Sequence, residues 1–415
     1  MSLAVFIPLS GWIADRLGAR VVFCAAIAIF ATGSALCGLS TSLPMMLAMR
    51  VVQGFGGAMM TPVGRLILLR SFPRSGLVSA MNWMTIPAMI GPTVGPIVGG
   101  FLTTYFSWRA IFYLNVPIGI AGFVLTLCLI ENYRAPAPTR FDLRGFVLAG
   151  IGLCLSRIRD RKSRAPDHPR RPRPAVLSGR LRHPAWSTSG MRGGSEDPIL
   201  DLRLLRIRTF RIGTVTGSLC RMGLDATPFL LAAVLSGRLR AEPAAFGPLD
   251  LLVEPRRDAG AHRLRLRFCG FSDFADCLSA MPFSRLPVTA ACGLLRVDTP
   301  VWLIVALLLL SGCVRSIQYL GLNTVSYADV PPPLLSKSTS VGGVAQQLAR
   351  GFGIAVGAAL LAVIAGSAQV TIGHFALALY LIALVPLVSA LGFLRLSPLD
   401  GAEVSGHRRA QPRSA

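Results

Sequence analysis

The groups that could do chemistry in this 415-residue sequence are few and stand at particular places. Gly11-Trp12-Ile13-Ala14-Asp15-Arg16-Leu17-Gly18-Ala19-Arg20 puts one carboxylate and two guanidiniums in a short segment whose glycines allow a reversal and a close helix approach. Asp15 can there accept from helix N-terminal amides or pair with a neighbouring arginine. Arg50 and Gln53 lie inside an apolar run. An arginine at membrane depth is costly. Arg50 therefore either faces a polar cavity or partner, or snorkels to the interface, from which helical rise separates it by about 10 Å. Asp225 is the only carboxylate well inside a clear apolar run, and Arg221 precedes it by one helical turn, within pairing reach. Such a carboxylate reads either as a proton- or cation-binding site or as a structural ion pair. Gly91, Gly95 and Gly99 recur every four residues and predict a smooth helix face, while Pro92 and Pro96 remove backbone bonds and bend the helix.

Several chemistries are not indicated. The nine cysteines are scattered, with no CxxC, and the five histidines do not cluster, so neither a metal site nor a disulfide framework is expected. Gly54 and Gly56 lack the third glycine and flanking strand of a dinucleotide loop, and there is no phosphate-binding loop for ATP. No nucleophile, base and orienting group form a set, so an enzyme is not expected. No cleavable signal peptide is read at the N-terminus.

The elements that must hold these residues are set by composition. Only 15% of residues are charged and the mean hydropathy is +0.58, against roughly 25% charged in ordinary soluble domains. No charged residue occurs from Ser75 to Ser107 once Arg74 is passed, nor from Gly351 to Leu394. About 20 apolar residues cross a bilayer as a helix, and the long runs without alternation predict helices rather than a barrel. Apolar spans are expected at 2–13, 21–40, 43–64, 78–101, 110–130, 145–156 (cut short), 213–235, 301–322, 340–365 and 373–394. Alternate breaks are basic: 14–20, 65–77 and 131–144 carry arginines, while the breaks between carry none or only Arg109. This places the basic breaks and the tail on the cytoplasmic side.

Two stretches depart from the pattern. Residues 157–195 hold eleven Lys/Arg and many prolines, and residues 236–298 are a mixed Arg/Pro/Ala/Gly text. Together they supply +11 of the net +23. The first interrupts a span after twelve residues with Arg157, Arg159, Arg161 and Lys162. Both read as out-of-frame translation of a gene rich in G and C; a genuine basic, disordered loop is the other reading. The organisation expected is 1–130, an N-terminal helical bundle lacking its first span; 131–156, a cytoplasmic loop and the start of the next span; 157–195, anomalous; 196–235, a loop and span; 236–298, anomalous; 299–400, C-terminal spans; and 401–415, a cytoplasmic tail.

The string from Gly11 to Arg20 resembles the signature loop of the major facilitator superfamily. Arg50-Val51-Val52-Gln53-Gly54-Phe55-Gly56-Gly57-Ala58 resembles the family motif whose buried arginine is linked to proton transfer, with Gly54, Gly57 and Ala58 at helical spacing for close packing. Gly91-Pro92-Thr93-Val94-Gly95-Pro96-Ile97-Val98-Gly99-Gly100 resembles the motif that marks antiporters within it. Trp108, Arg109, Asn115 and Pro117, then Asp142, resemble the fourteen-span drug:proton antiporters (the EmrB/QacA subfamily). Arg315, Gln318, Asn323, Asp329, Gln346 and Gln347 resemble a multidrug exporter type of that subfamily. The resemblance covers about 1–156, 196–235 and 299–400.

The resemblance implies an all-α polytopic membrane protein of two helical bundles, here incomplete, which rocks between inward- and outward-open states. It implies a cytoplasmic latch at Gly11, Asp15, Arg16, Gly18 and Arg20, and proton coupling through Arg50 and Gln53, to which the residue reading adds Arg221 and Asp225. The function expected is efflux of lipophilic or amphipathic drugs from the bacterial cytoplasm, driven by the proton gradient with no cofactor. The expected partners are the bilayer, small-molecule substrates and protons, with no nucleic acid, since the basic stretches lack interleaved aromatics. A frameshifted, non-functional remnant and a solute importer of the same superfamily are the rivals.

Overall fold

The structure, a computed structural model, describes residues 2–73, 76–134, 200–239, 283, 286–294, 299, 301–366 and 371–396. Every regular element among them is helical. The expected span at 145–156, Asp142, most of both anomalous stretches and the tail lie outside the described residues.

The helices are α1 (Ser2–Leu17), α2 (Ala19–Gly38), α3 (Leu43–Ser71), α4 (Leu77–Tyr105), α5 (Ala110–Tyr113) and α6 (Asn115–Leu129), followed by α7 (Arg208–Arg211), α8 (Gly217–Leu239), α9 (Val301–Tyr327), α10 (Leu335–Ala365) and α11 (Ile372–Phe393). A π turn, Ile212–Thr216, joins α7 to α8, and 3-10 turns occupy Leu202–Arg206 and Pro332–Leu334. Each expected span within the described residues falls on a helix. Several helices overrun the apolar run that predicts them. α3 continues to Ser71 through Arg65 and Arg70, so part of the basic break expected at 65–77 is helix. Hydropathy reports where lipid ends, whereas a helix ends where its backbone bonding fails. The break between α5 and α6 shows this: Pro117 has no N–H for the Tyr113 carbonyl, and Leu114 drops out of the helix.

Among the described residues four helical stretches are long and apolar enough to cross a membrane: Ala19–Gly38, Ala110–Leu129, Pro332–Ala365 and Gly373–Phe393. The outward faces are apolar too. Ile118, Ile120, Val124, Leu125 and Leu127 on α6 are all exposed. A surface of that kind is untenable in water and suits acyl chains.

The chain forms two compact units, each built from separated segments. Unit 1 comprises Met1–Ile67, Phe112–Leu202 and Pro332–Val344; unit 2 comprises Leu68–Ile111, Arg203–Pro331 and Ala345–Ala415. The stretch 68–111 thus falls outside the unit that holds the rest of 1–130, because α4 packs on α9.

In unit 1, α2 is the central helix. Gly33 meets the Gln53 backbone and Gly56 meets Phe30 and Ala26, so α3 runs antiparallel to α2. Gly119 meets Ala31 and Gly38 meets Tyr113, so α6 does likewise. In unit 2, α8 is central. Its contacts with α9 (Gly217 to Leu322, continued by Gly213 of the π turn to Ser326) and with α11 (Gly223 to Pro386) are antiparallel. Those with α10 (Met222 to Gly353, Ala226 to Gly357) are parallel. Ile212, Cys220, Leu224, Leu322, Val325 and Phe393 make one apolar core, and Ala226, Leu230, Ala378, Leu379 and Ile382 a second.

Candidate functional site

The signature turn is built from unit 1 alone. Gly18 joins α1 to α2 at φ 98, ψ 141, a region open almost only to glycine. A Cβ at Gly18 would also stand 2.6 Å from Cγ of Asn132. The segment after α6 closes over this turn. The Ala19 amide donates to the Tyr133 carbonyl at 3.1 Å, Arg20 Nη1 to the Ile130 carbonyl at 3.3 Å, and Arg134 Nε to the Leu17 carbonyl at 3.1 Å. Asp15 is half-buried on the last turn of α1, and Arg16 lies over the Trp12 ring at 5.4 Å.

Gly11 serves a second helix. Its amide donates to Ser340 Oγ at 3.1 Å, its carbonyl accepts from Ser336 Oγ at 2.9 Å, and a Cβ there would lie 2.5 Å from Ser340 Oγ. Thus α1 and the start of α10 touch backbone to hydroxyl. Sequence reading marks Gly11 but not Ser336, Ser340 or Asn132, which lie far along the chain.

Arg50 is exposed on α3; its Nη1 donates to Gln53 Oε1 at 3.1 Å and its guanidinium lies 4.6 Å from the centre of the Phe112 ring. Gln53, one turn on, is its hydrogen-bond partner, and the burial that the resemblance implies for Arg50 is not seen. Beside Phe112, Ser34 Oγ donates to its carbonyl at 2.9 Å and accepts from Asn115 Nδ2 at 3.0 Å. In the same motif Gly57 faces Phe30, and Ala58 is buried. At Gly56 a Cβ would come within 2.6 Å of the Phe30 nitrogen.

Gly91, Pro92, Gly95 and Pro96 fall within α4, which is helical throughout, and their side-chain surroundings are outside the described set. Among the described residues, a Cβ at Gly99 or Gly100 would meet nothing within 4 Å. Small residues permit close packing without compelling it. Trp108 is exposed and carries Arg109 at 4.7 Å over its ring, while Pro117 sits in the first turn of α6.

Among the described residues the richest polar cluster lies in unit 2, where α8, α9 and α10 meet. Asp225 Oδ1 accepts from the Tyr319 hydroxyl at 2.6 Å, and Asp225 Oδ2 stands 3.8 Å from Arg350 Nε. The expected pairing of Arg221 with Asp225 is corrected here. Arg221 Nη2 donates to Asn323 Oδ1 at 2.9 Å, and its guanidinium lies 5.9 Å from the Tyr319 ring centre. One turn of α8 puts the two side chains within reach, but α9 offers Tyr319 to the acid and Asn323 to the base. Asn323 Oδ1 accepts a second bond, from Gln346 Nε2 at 3.3 Å, and Gln318 Nε2 donates to Cys220 Sγ at 2.8 Å. Arg221 is 2% exposed, whereas the Arg350 side chain is 57% exposed. The base that faces the acid is therefore the one with room to move. Arg315 and Gln347 are half-buried and Asp329 is exposed in the turn after α9, none of them in the cluster's bonding. Among the described residues no group of three His, Cys, Asp or Glu could hold a metal ion.

A family model described as Major Facilitator Superfamily matches residues 1–238. MdtD of Serratia proteamaculans, named a multidrug resistance protein, is 33% identical over 364 residues, covering 87% of this chain and 75% of its own length. The protein of the same name from Pectobacterium atrosepticum is 34% identical, covering 88% and 77%. The crystal structure of the human organic anion transporter MFSD10 (TETRAN) superimposes with a TM-score of 0.66 at 16% identity, covering 94% of this chain and 81% of that one. At that identity the likeness concerns the fold.

Proposed function

The chain belongs to the major facilitator superfamily of membrane transporters, and from that premise we propose that it exports lipophilic or amphipathic compounds from a bacterial cytoplasm in exchange for protons. The names of the bacterial relatives support the substrate class, and the likeness of residues 91–100 to the antiporter motif supports the direction. Arg50 and the turn at Asp15, Arg16 and Arg20 keep the roles the resemblance implies.

The observation that carries proton coupling is Asp225 held between Tyr319 and Arg350. An acid among transmembrane helices is costly unless charge-balanced, and such groups mark proton paths. Ionised Asp225 accepts from Tyr319 on one oxygen and attracts Arg350 with the other. A proton on the second oxygen removes that attraction and leaves the Tyr319 bond intact. Proton and guanidinium therefore compete for one carboxylate oxygen, and Arg350 is exposed enough to leave when the proton arrives. Two occupancies of one site, each holding α10 differently, are the minimum that coupling needs.

The test is Asp225→Asn, which keeps the Tyr319 bond and fixes the neutral form. In everted vesicles with an imposed proton gradient, the variant is expected to lose uphill accumulation of a fluorescent lipophilic cation while still equilibrating it. Wild-type uphill transport in the variant would remove Asp225 from the mechanism. Movement in the opposite direction would favour the importer.

A further inference from the structure

α9 carries a single charge, Arg315, midway along the helix and about 20 Å of helical rise from either end. Snorkelling does not bring its guanidinium to either end from there. The residue is half-buried, and its Nε is buried with no hydrogen-bond partner. An unpaired guanidinium inside an apolar span is costly. Three residues on, Gln318 is 1% exposed and its Oε1 is orphaned too. Orphaned polar groups on one turn of helix point to a second conformation in which their bonding is met.

The face of α9 that meets the stretch from the π turn into α8 runs through Ser326, Leu322 and Tyr319, which touch Gly213, Gly217 and Asp225. One turn before Tyr319 the same face carries Arg315. Side chains four apart on a helix are neighbours, and the Tyr319 hydroxyl ends on Asp225 Oδ1. An arginine side chain spans the rise of about 6 Å between the two positions. Arg221 on α8 is held by Asn323, and Arg350 on α10 stands 3.8 Å from the acid. Among the described residues, Arg315 on α9 has neither kind of partner.

We propose that Arg315 is the second counter-ion of Asp225 and so a positioning residue for proton coupling. In the conformation described, the ionised carboxylate has Arg350. The arriving proton takes Oδ2 and releases Arg350. In the other transport state the proton departs, and the carboxylate it leaves behind takes Arg315, whose side chain swings onto Oδ2. Asp225 thus passes from an arginine on α10 to one on α9. Each state has its own ion pair, and in neither is the acid left as an unpaired charge. The idle guanidinium is what the present state gives up for that exchange. The inference rests on the proton-coupling reading of Asp225.

The test is Arg315→Gln in the full chain, read in two ways. In detergent it is expected to melt about 2–4 °C above wild type, because an unpaired charge gives way to an amide. In everted vesicles with an imposed proton gradient, the ratio of uphill accumulation to downhill equilibration of the fluorescent lipophilic cation should fall at least tenfold. Arg315→Lys keeps the charge and should hold most of that ratio, which a purely structural role would not require. A lower melting temperature in Arg315→Gln would mark a structural partner and overturn the proposal. So would a wild-type ratio in Arg315→Gln, or an equal loss in Arg315→Lys. Wild-type uphill transport in Asp225→Asn would remove the coupling reading and this inference with it. Loss in Asp225→Asn beside a wild-type ratio in Arg315→Gln would remove this inference alone.

Discussion

Replacing Gly18 by alanine separates two costs that the signature turn imposes. The backbone there stands at φ 98, ψ 141, where a residue with a side chain is strained by about 1–3 kcal/mol. The new methyl would also meet the Asn132 amide, with Cγ 2.6 Å away. Because that group is the end of a side chain, it can swing aside, at a cost of about 1 kcal/mol in lost packing. The sum is about 2–4 kcal/mol. For a chain longer than 150 residues each kcal/mol lowers the melting temperature by roughly 2 °C, so Gly18→Ala should melt about 4–8 °C lower in detergent. In an Asn132→Ala background the steric part is gone and the strain stays, so the same change should cost about 2–6 °C. A melting temperature unchanged within a degree would refute the assigned backbone conformation. Complete loss of the effect in the Asn132→Ala background would leave sterics as the whole explanation.

Three further outcomes are expected. Gly353→Val would press its side chain on the Met222 backbone, whose Cα lies 2.9 Å from an added Cβ; overpacking of about 1–3 kcal/mol should force α10 from α8. Arg350 and Asp225 each stand about one turn from that contact, so uphill transport should fall along with melting temperature. Asn323→Leu removes the acceptor that serves both Arg221 and Gln346; it should cost about 1–3 kcal/mol, read as a lower melting temperature with uphill transport retained. Finally, translating codons 150–300 in all three frames should recover continuous apolar spans across 157–195 and 236–298. If no other frame yields spans, those basic stretches belong to the protein and the frame reading fails.

Arg50 and Asp225 show how far sequence carried the site. Both are legible because a charge inside an apolar run stands out against its neighbours. Their partners differ in legibility. Gln53, one turn from Arg50 on the same helix, is within reach of spacing arguments. Tyr319 lies 94 residues from Asp225 and looks like any aromatic in a span. Arg350 already falls inside the span expected at 340–365, but nothing local links it to an acid on another helix. The expected Arg221–Asp225 pair failed for the same reason: spacing along α8 says which side chains can meet, while α9 decided which do.

Hydropathy and the glycine-rich turn determined the helices and their approximate ends, since those follow from short stretches of sequence interacting with solvent or lipid. The rotation of each helix about its axis was decided only by tertiary packing. Gly11 against Ser340, Gly56 against Phe30 and Gly353 against Met222 fix those rotations through contacts between distant segments. With the rotations set, one carboxylate faces a tyrosine and an exposed arginine, and the neighbouring guanidinium turns to an asparagine. Local sequence cannot specify that choice, because the energies that settle it belong to pairs of helices and not to either one alone.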